Sequence, residues 1–567
     1  MSQQPIDALF FSYFEEFDRW HNDRDAPPAP GTSTSTVSAT HGTTELDRAR
    51  LQSVTIDGKQ YDLARFLSHI ATGDTTDYRR YDSACLTRLS GTFFESLASR
   101  HGHEIRHVNH VARPDLPALA ARWSPRCIFL SSTFFMTVAA MMNAVRHVRS
   151  AWPDVPIVIG GLYLIELAKS LSPGQFRAVL SMCGADAYVQ SPRAEDPVLR
   201  ILRRGATPLE DLHLPATWVR RNGKYVWCDT PEPDFPIDDN WIRWDELSQE
   251  GLYHTVNMRT ARSCAFSCSF CTFPVTQGPL TLGEPRMLEY ELERLKRTGV
   301  RSLIFIDDTF NVPMPRFREL VDILARHDFE WYSYFRCQYA DDDIVKRMVD
   351  AGCRSVFLGY ESLDDQVLKN MNKAVNLKAF ERGTEILKRN GLTCHANFII
   401  GFPGDRAENT HRFIQFIDDH GIEFYNAAVW FSSPSTPIAA RSAEFGVEGT
   451  RYDWKHDTMS SQEAFELEAW VVGRAKESAW VSEISAMSFW SEIVLYSNGL
   501  TNDEAKQTLR TYNDLAGRDL TRPAVDTAPG VARLRRLLDE KPFAPVDGVA
   551  RVESAPALTV GRRGGDS

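Results

Sequence analysis

The sequence predicts an α/β protein: two sheet-based units followed by a mainly helical one. Short apolar runs alternate with amphipathic stretches over 126–190, and again over a longer series at 253–431. A third observation is local. Cys264, Cys268 and Cys271 lie within eight residues, just after the first strand of the second series. The 567 residues suit two or three domains. A net charge of −11 argues against a general nucleic-acid surface. No apolar run is long enough to span a membrane, and Met1–Pro5 does not open a secretory signal. Cys85, Cys127, Cys183, Cys228, Cys337, Cys353 and Cys394 are scattered, so they read as reduced, buried side chains in a cytoplasmic protein.

The first unit spans 1–215. Residues 7–14 are apolar and form its first strand, and the Pro-, Ser-, Thr- and Gly-rich stretch 22–45 is a flexible insertion. A helix at 84–100 places Leu86, Leu89, Phe93 and Leu97 on one face, and a strand at 104–111 follows. Cys127-Ile128-Phe129-Leu130 is a buried parallel strand ending in Ser131-Ser132-Thr133. Met141, Ala144, Val145 and Val148 mark the next helix. Pro156-Ile157-Val158-Ile159 is a second buried strand, closed by Gly160-Gly161. Helices near 163–171 and 175–182 and a strand at 186–190 complete a doubly wound pattern. Such sheets bind ligands at the carboxyl ends of their strands, which places Ser131, Ser132, Thr133, Gly160 and Gly161 at a ligand edge. Alone, the pattern fits any nucleotide-type domain.

Pro231, Pro233 and Pro236 mark a linker over 216–245. The second unit, 246–440, has strands at 253–260, 302–306, 331–337, 355–361, 394–401 and 423–431, each but the last followed by a helix. Chemistry on such a βα series gathers at the C-terminal strand ends. Residues 441–522 read as helical and tryptophan-rich, and 523–567 as a loosely ordered tail.

Three thiolates on one short loop suit three irons of a [4Fe–4S] cube, leaving the fourth iron open to a small chelating molecule. Zinc or a purely structural loop is the alternative, although no second ligand pair follows Cys271. Other polar groups stand at strand ends. Asp307 and Asp308 follow the second strand and either meet a ligand or cap the next segment. Arg336 and Gln338 end the third strand, where a structural ion pair is equally open. Gly359-Tyr360-Glu361-Ser362 ends the fourth. Its glycine admits close approach to the backbone, and a glutamate there is otherwise unfavourable. Gly401-Phe402-Pro403-Gly404-Asp405 ends the fifth as a tight loop in which Asp405 is given no role. Phe266 and Phe270 shield the cysteines.

The C-x3-C-x2-C motif, with Phe270 before its last cysteine, resembles that of the radical S-adenosylmethionine (SAM) enzymes. The resemblance implies a partial (β/α)6 barrel, with Cys264, Cys268 and Cys271 as ligands of the [4Fe–4S] cluster. It implies SAM on the open iron and a 5'-deoxyadenosyl radical from its cleavage. It places Phe270 against the adenine, Asp308 near the SAM amino group, Glu361 on the ribose or amino group, and Arg336 within reach of SAM or substrate. With a doubly wound unit in front, the chain resembles B12-dependent members. These carry a Rossmann-like cobalamin-binding domain, in which Ser131, Ser132, Thr133, Gly160 and Gly161 would approach the corrin. Gly184-Ala185-Asp186 matches a run usual in that domain, whereas the cobalt-binding Asp-x-His-x-x-Gly signature is absent. Tyr452-Asp453-Trp454-Lys455-His456 and the tryptophan-rich end resemble the branch of phosphinate P-methylases and thiopeptide-pathway tryptophan 2-C-methyltransferases, although core packing also explains Trp454. The activity implied is cobalamin-dependent methyl transfer to carbon or phosphorus of a small molecule, by a radical or a polar route. An external donor such as flavodoxin or ferredoxin would supply electrons. A non-methylating radical rearrangement or oxidation, and a metal-stabilised binding protein, are the alternatives.

Overall fold

The computed structural model describes residues 3–14, 53–56, 59–73, 78–135, 137–233, 235–248, 251–482, 490–516 and 528–541. The expected insertion at 22–45 lies outside these residues. No helix among the described residues is long and apolar enough to cross a membrane.

The first sheet has seven strands in the order Lys224–Cys228, Thr217–Arg221, Ala187–Val189, Ile157–Gly160, Ile128–Ser131, Ala8–Phe11, Ile105–Val108. The last five run parallel. Their apolar runs are buried on both faces, because helices cover each side. The matching run Gly184-Ala185-Asp186 has a local structural role. Gly184 ends the helix Pro173–Cys183 at φ +76°, and Asp186 accepts the Ile157 N–H at 2.8 Å, fixing strand register.

The expected linker 216–245 opens differently. Thr217–Arg221 and Lys224–Cys228 form an antiparallel hairpin on the sheet edge. Its turn is Asn222-Gly223, both at positive φ, a strong two-residue hairpin signal that the prolines downstream overshadowed.

The second sheet has eight strands. Six belong to the barrel: β1 (Thr255–Met258), β2 (Ser302–Phe305), β3 (Glu330–Phe335), β4 (Cys353–Glu361), β5 (Thr393–Ile400) and β6 (Phe424–Val429). All their pairings are parallel. Two short strands from remote chain extend the edges: Leu86–Thr87 beside β1 and Ala479–Trp480 beside β6. Leu86, expected within a helix, is therefore a strand residue; the helix is Leu89–Arg100.

Strand alternation divides the barrel into an outer core and a lumen. Val256, Leu303, Trp331, Val356, Ala396 and Tyr425 face the helices. Ile304, Tyr332 and Phe357 face inward, where the helix Trp490–Ser497 meets them through Trp490, Ile493 and Val494. That helix plugs the lower lumen. Its Glu492 pairs with His395 of β5 at 2.7 Å, both side chains fully buried.

The C-terminal part is less uniformly helical than expected. It opens with a three-stranded antiparallel sheet, Glu448–Thr450, Asp453–His456 and Met459–Ser460. The expected loose tail contains a helix, Ala528–Glu540. That helix and Asn502–Ala516 pack on residues 53–81, which sequence order had placed with the first sheet. Local periodicity gives no partner for a segment, so this docking was hidden. Phe66, fully buried, lies 5.4 Å from Tyr512 ring to ring. Phe66→Ala should cost about 3–5 kcal/mol and lower the denaturation midpoint measured by circular dichroism.

Candidate active site

The cysteine loop leaves the end of β1 with little regular structure of its own, and polar groups from other elements fix it. Buried Asp307, at the end of β2, accepts the N–H groups of Thr260 at 2.7 Å and Ala261 at 3.0 Å. Arg316 donates to the Thr260 carbonyl at 2.8 Å. Ser263 sits at φ +69°, and its hydroxyl donates to the Gly278 carbonyl at 2.6 Å. The segment 370–373 forms a second clamp. Ser269 donates through N–H and hydroxyl to the carbonyls of Met371 and Asn370, each at 2.8 Å, while Asn372 donates to the Ser267 carbonyl at 2.9 Å.

Cys268 is buried; Cys264 and Cys271 are half-exposed. The Cys264 sulfur lies 3.3 Å from the Thr309 hydroxyl, and Arg336 donates to the Cys268 sulfur at 3.3 Å. Burial pushes the Cys271 thiol up to about 12, with Asp308, Cys268 and Cys264 adding to the rise. A tetrahedral zinc site would hold thiolates ~3.8 Å apart, given its ~2.3 Å bonds. Among the described residues, the three-ligand group gathered within 4.8 Å is Glu289, Glu293 and His327, not the three cysteines.

Arg336 joins several parts of this rim. Its backbone N–H and carbonyl both bond the Asn311 amide. Its guanidinium donates to the Lys373 carbonyl at 2.8 Å and stacks 3.4 Å from the Phe266 ring centroid. Gln338 lies in the following turn, where its carbonyl accepts from Arg382. Glu361 ends β4 at φ +63°, after a register shift against β5, and pairs with buried Lys373 at 2.9 Å. A side chain at Gly359 would meet the Glu361 carboxylate at 2.5 Å, so the glycine makes room for that pair. Lys373 also lies 5.4 Å from the Phe270 ring, whose edge meets Phe402 at 6.3 Å.

The acidic pair after β2 divides its work: Asp307 is structural, whereas the Asp308 carboxylate accepts no hydrogen bond among the described residues, its backbone carbonyl alone accepting from the Thr309 hydroxyl at 2.7 Å. Burial, then Asp307, raises the Asp308 carboxyl to about 7. Asp405 closes its own loop by accepting the Gly401 N–H and the Asn409 amide, both at 2.8 Å. Trp454 and His456 stack together over Gly401, and His456 bonds the Gly401 carbonyl at 3.0 Å, so both pack the core; Lys455 is exposed.

The first sheet supplies a second group. Ser131 and Gly160 are register partners on adjacent strands. Ser132 receives the Leu164 N–H on its hydroxyl at 3.2 Å and donates its own N–H to Gly160. Ser131 and Thr133 share a hydroxyl bond at 3.1 Å. Gly161, at φ +115°, lies so close that a Cβ would come 2.8 Å from the Thr133 nitrogen. The helix after Gly161 touches the barrel mouth: Lys169 donates to the Val275 carbonyl at 2.9 Å, and Ser433 bonds Glu166 at 3.3 Å. The predicted residues thus form two neighbouring groups. One holds Cys264, Cys268, Cys271, Phe270, Asp308, Arg336 and Glu361 around the barrel mouth. The other is the hydroxyl- and glycine-lined strand edge.

Residues 258–417 match the family model described as "Radical SAM superfamily". This part of the chain is a radical SAM domain. An uncharacterized methyltransferase of Pyrococcus horikoshii is 28% identical over 39% of this chain and 50% of its own. A bacteriochlorophyllide d C-12(1)-methyltransferase of Chlorobaculum tepidum is 28% identical over 43% of this chain and 53% of its own. The chain thus spans about half the length of these relatives. Among solved structures, the radical SAM methyltransferase TsrM from Kitasatospora setae, with cobalamin and a [4Fe–4S] cluster bound, aligns at TM-score 0.55 and 13% identity, over 80% of this chain and 98% of its own. The cobalamin-dependent SAM radical enzyme OxsB aligns at TM-score 0.51 and 13% identity, over 80% and 73%. The likeness covers both sheet units, so the radical SAM domain and its preceding doubly wound sheet together have the fold of these proteins.

Sequence reasoning missed Lys373, Asn372, Asn311 and Arg88. Arg88 is buried between the rings of Tyr13, Phe134 and Trp490, where sheet edge and lumen helix meet. A positive charge following an apolar strand, as in Leu86-Thr87-Arg88, was its only local signal. Lys373 had none, because its partner lies twelve residues away.

Two outcomes follow for this radical SAM domain. Lys373→Met strands the Glu361 charge and should cost about 3 kcal/mol, most of it recovered when Glu361→Gln is added, as read from urea midpoints. Asp405 is raised from 3.8 to about 6, chiefly by burial. A raised carboxyl favours folding in its protonated form, so that contribution is full below about pH 4 and lost as pH rises through about 6. Asp405→Asn should therefore gain on the parent by up to about 3 kcal/mol between pH 4 and 6.

Proposed function

We propose that the chain is a cobalamin-dependent radical SAM methyltransferase, moving a methyl group from SAM by way of cobalamin to carbon or phosphorus of a small-molecule or natural-product precursor. One observation carries this reading: a three-thiol loop stands at a barrel mouth directly beside the carboxyl edge of a doubly wound sheet. When bound, the cluster, SAM and cobalamin would together supply the electron, the methyl source and the methyl carrier.

Cys264, Cys268 and Cys271 would hold the cluster, with the Arg336 guanidinium offsetting thiolate charge at Cys268. Asp308 is the free acceptor beside these sulfurs, suited to an ammonium group. Phe270, held edge-on by Phe402, offers a face to a purine. Glu361 keeps one carboxylate oxygen beyond its bond to Lys373. Ser131, Thr133, Gly160 and Gly161 would meet the corrin through hydroxyls, backbone groups and a surface free of bulky side chains, while Ser132, fully buried and bonded to Leu164 and Gly160, would brace that edge from behind rather than touch the ligand as the sequence suggested. Close seating of both groups excludes water and orients the reacting atoms. The half-exposed Cys264 and Cys271, with exposed Ala265 and Ser267 between them, leave the cluster reachable by a flavodoxin- or ferredoxin-like donor.

Anaerobic reconstitution should give about four irons and four sulfides per chain, and Cys268→Ala should lose the cluster. With SAM, cobalamin and reductant, mass spectrometry should show a methylated product. Deoxyadenosine with no methylated product would favour a radical rearrangement or oxidation; a single zinc and intact SAM would favour a binding protein.

A further inference from the structure

Arg336 is a buried cation that forms no ion pair with a carboxylate among the described residues. A desolvated guanidinium is costly unless its donors are used and an anion lies near. Its donors go to the Lys373 carbonyl at 2.8 Å and the Cys268 sulfur at 3.3 Å. Its flat face lies on the Phe266 ring, in the same loop as Cys268. The Asn311 amide clasps the Arg336 backbone N–H at 2.9 Å and carbonyl at 3.0 Å, so the side chain starts from a fixed point. The anion that this arrangement awaits is the Cys268 thiolate.

The other two sulfurs are placed differently. The Thr309 hydroxyl lies 3.3 Å from the Cys264 sulfur, but its one hydrogen already goes to the Asp308 carbonyl at 2.7 Å. Cys271 meets the neutral Phe273 N–H and the Asp308 acid. The remaining cations of the rim are opposed by acids: Lys373 pairs with Glu361, and Arg259 stands among Glu195, Asp307, Glu291 and Asp308. Charge therefore reaches the cysteine loop through one hydrogen bond, from Arg336 to Cys268. Reducing a bound cluster would add one negative charge to it. A cation fixed against a ligand sulfur favours the reduced form, and more so in a low-dielectric site. Arginine keeps its proton throughout, so the effect does not fade with pH.

We infer that Arg336 sets the reduction potential of the cluster, raising it through the bond to Cys268, and so acts as a positioning residue behind a ligand rather than as a contact of SAM or of the methyl acceptor. One electron passes from the external donor to the cluster, and no proton moves with it. The inference deepens the proposed function and rests on it.

A dithionite titration of the cluster-loaded protein, followed by electron paramagnetic resonance without SAM, tests it. Arg336→Met should lower the equilibrium constant for reduction by about tenfold or more, which is ~59 mV for one electron. Arg336→Lys keeps the charge and should recover at least about half of that shift. Phe266→Leu opens the stacked face of the guanidinium to water and should lower the constant by about threefold. A midpoint in Arg336→Met within about twofold of the parent, or a Lys variant no higher than the Met variant, would overturn the inference. So would loss of the cluster from all three variants, which would make Arg336 a structural support alone. If Arg336→Met keeps the parent midpoint but loses the spectral change caused by SAM, Arg336 is a SAM ligand and the inference also falls. Two failures stay distinct: a parent protein that assembles no four-iron cluster sinks the proposed function, whereas a loaded parent with unshifted variants sinks only the role of Arg336.

Discussion

The loop bearing the three thiols is shaped by contacts it does not itself contain. Asp307 ties down its start, the segment 370–373 grips its middle, and Arg336, at the end of the third barrel strand, ties Cys268 to that same segment. A short segment with exposed Ala265 and Ser267 has little apolar area to bury, so directed polar bonds must fix its path. Buried, charge-assisted bonds are strong and unforgiving of displacement. The positions of the three sulfurs therefore report on strand ends across half the barrel, and the rim residues act as one unit.

The same economy shapes the acidic groups. Asp307 and Asp308 are adjacent in sequence, yet one is consumed by backbone N–H groups and the other is left free. Glu361 is held in a left-handed backbone conformation that few residues other than glycine adopt, which the Lys373 pair and the room left by Gly359 make tolerable. Such local cost is expected where geometry serves a site.

Much of this was legible in the sequence, because parallel strands buried on both faces read as continuous apolar runs and helices as 3.6-residue stripes. The parallel strands of the first sheet and the six barrel strands follow from those periods, whereas the antiparallel hairpin at 217–228 was read as linker. What escaped depends on contacts distant in sequence. Leu86–Thr87 and Ala479–Trp480 are too short to signal as strands and gain meaning only at the barrel edges. Residues 53–81 carry apolar side chains whose partners stand more than four hundred positions later, as with Phe66 and Tyr512. At the site, a motif named the cysteines, but Lys373 and Asn311 act through partners no local pattern marks. Asp307 and Asp308 could not be ranked until the backbone showed which faced the peptide groups.

The two edge strands bear on how the molecule is made. A parallel sheet with a bare margin invites pairing with other chains, and here each margin is sealed by a strand from a different end of the polypeptide. During synthesis the sixth barrel strand leaves the ribosome some fifty residues ahead of Ala479–Trp480, so one margin stays unsealed for seconds at ordinary elongation rates. The helices that cover residues 53–81 emerge later still. Folding of the barrel is thereby coupled to arrival of the C-terminal region, and a nascent chain stalled before that point would expose a sticky seam that chaperones must shield.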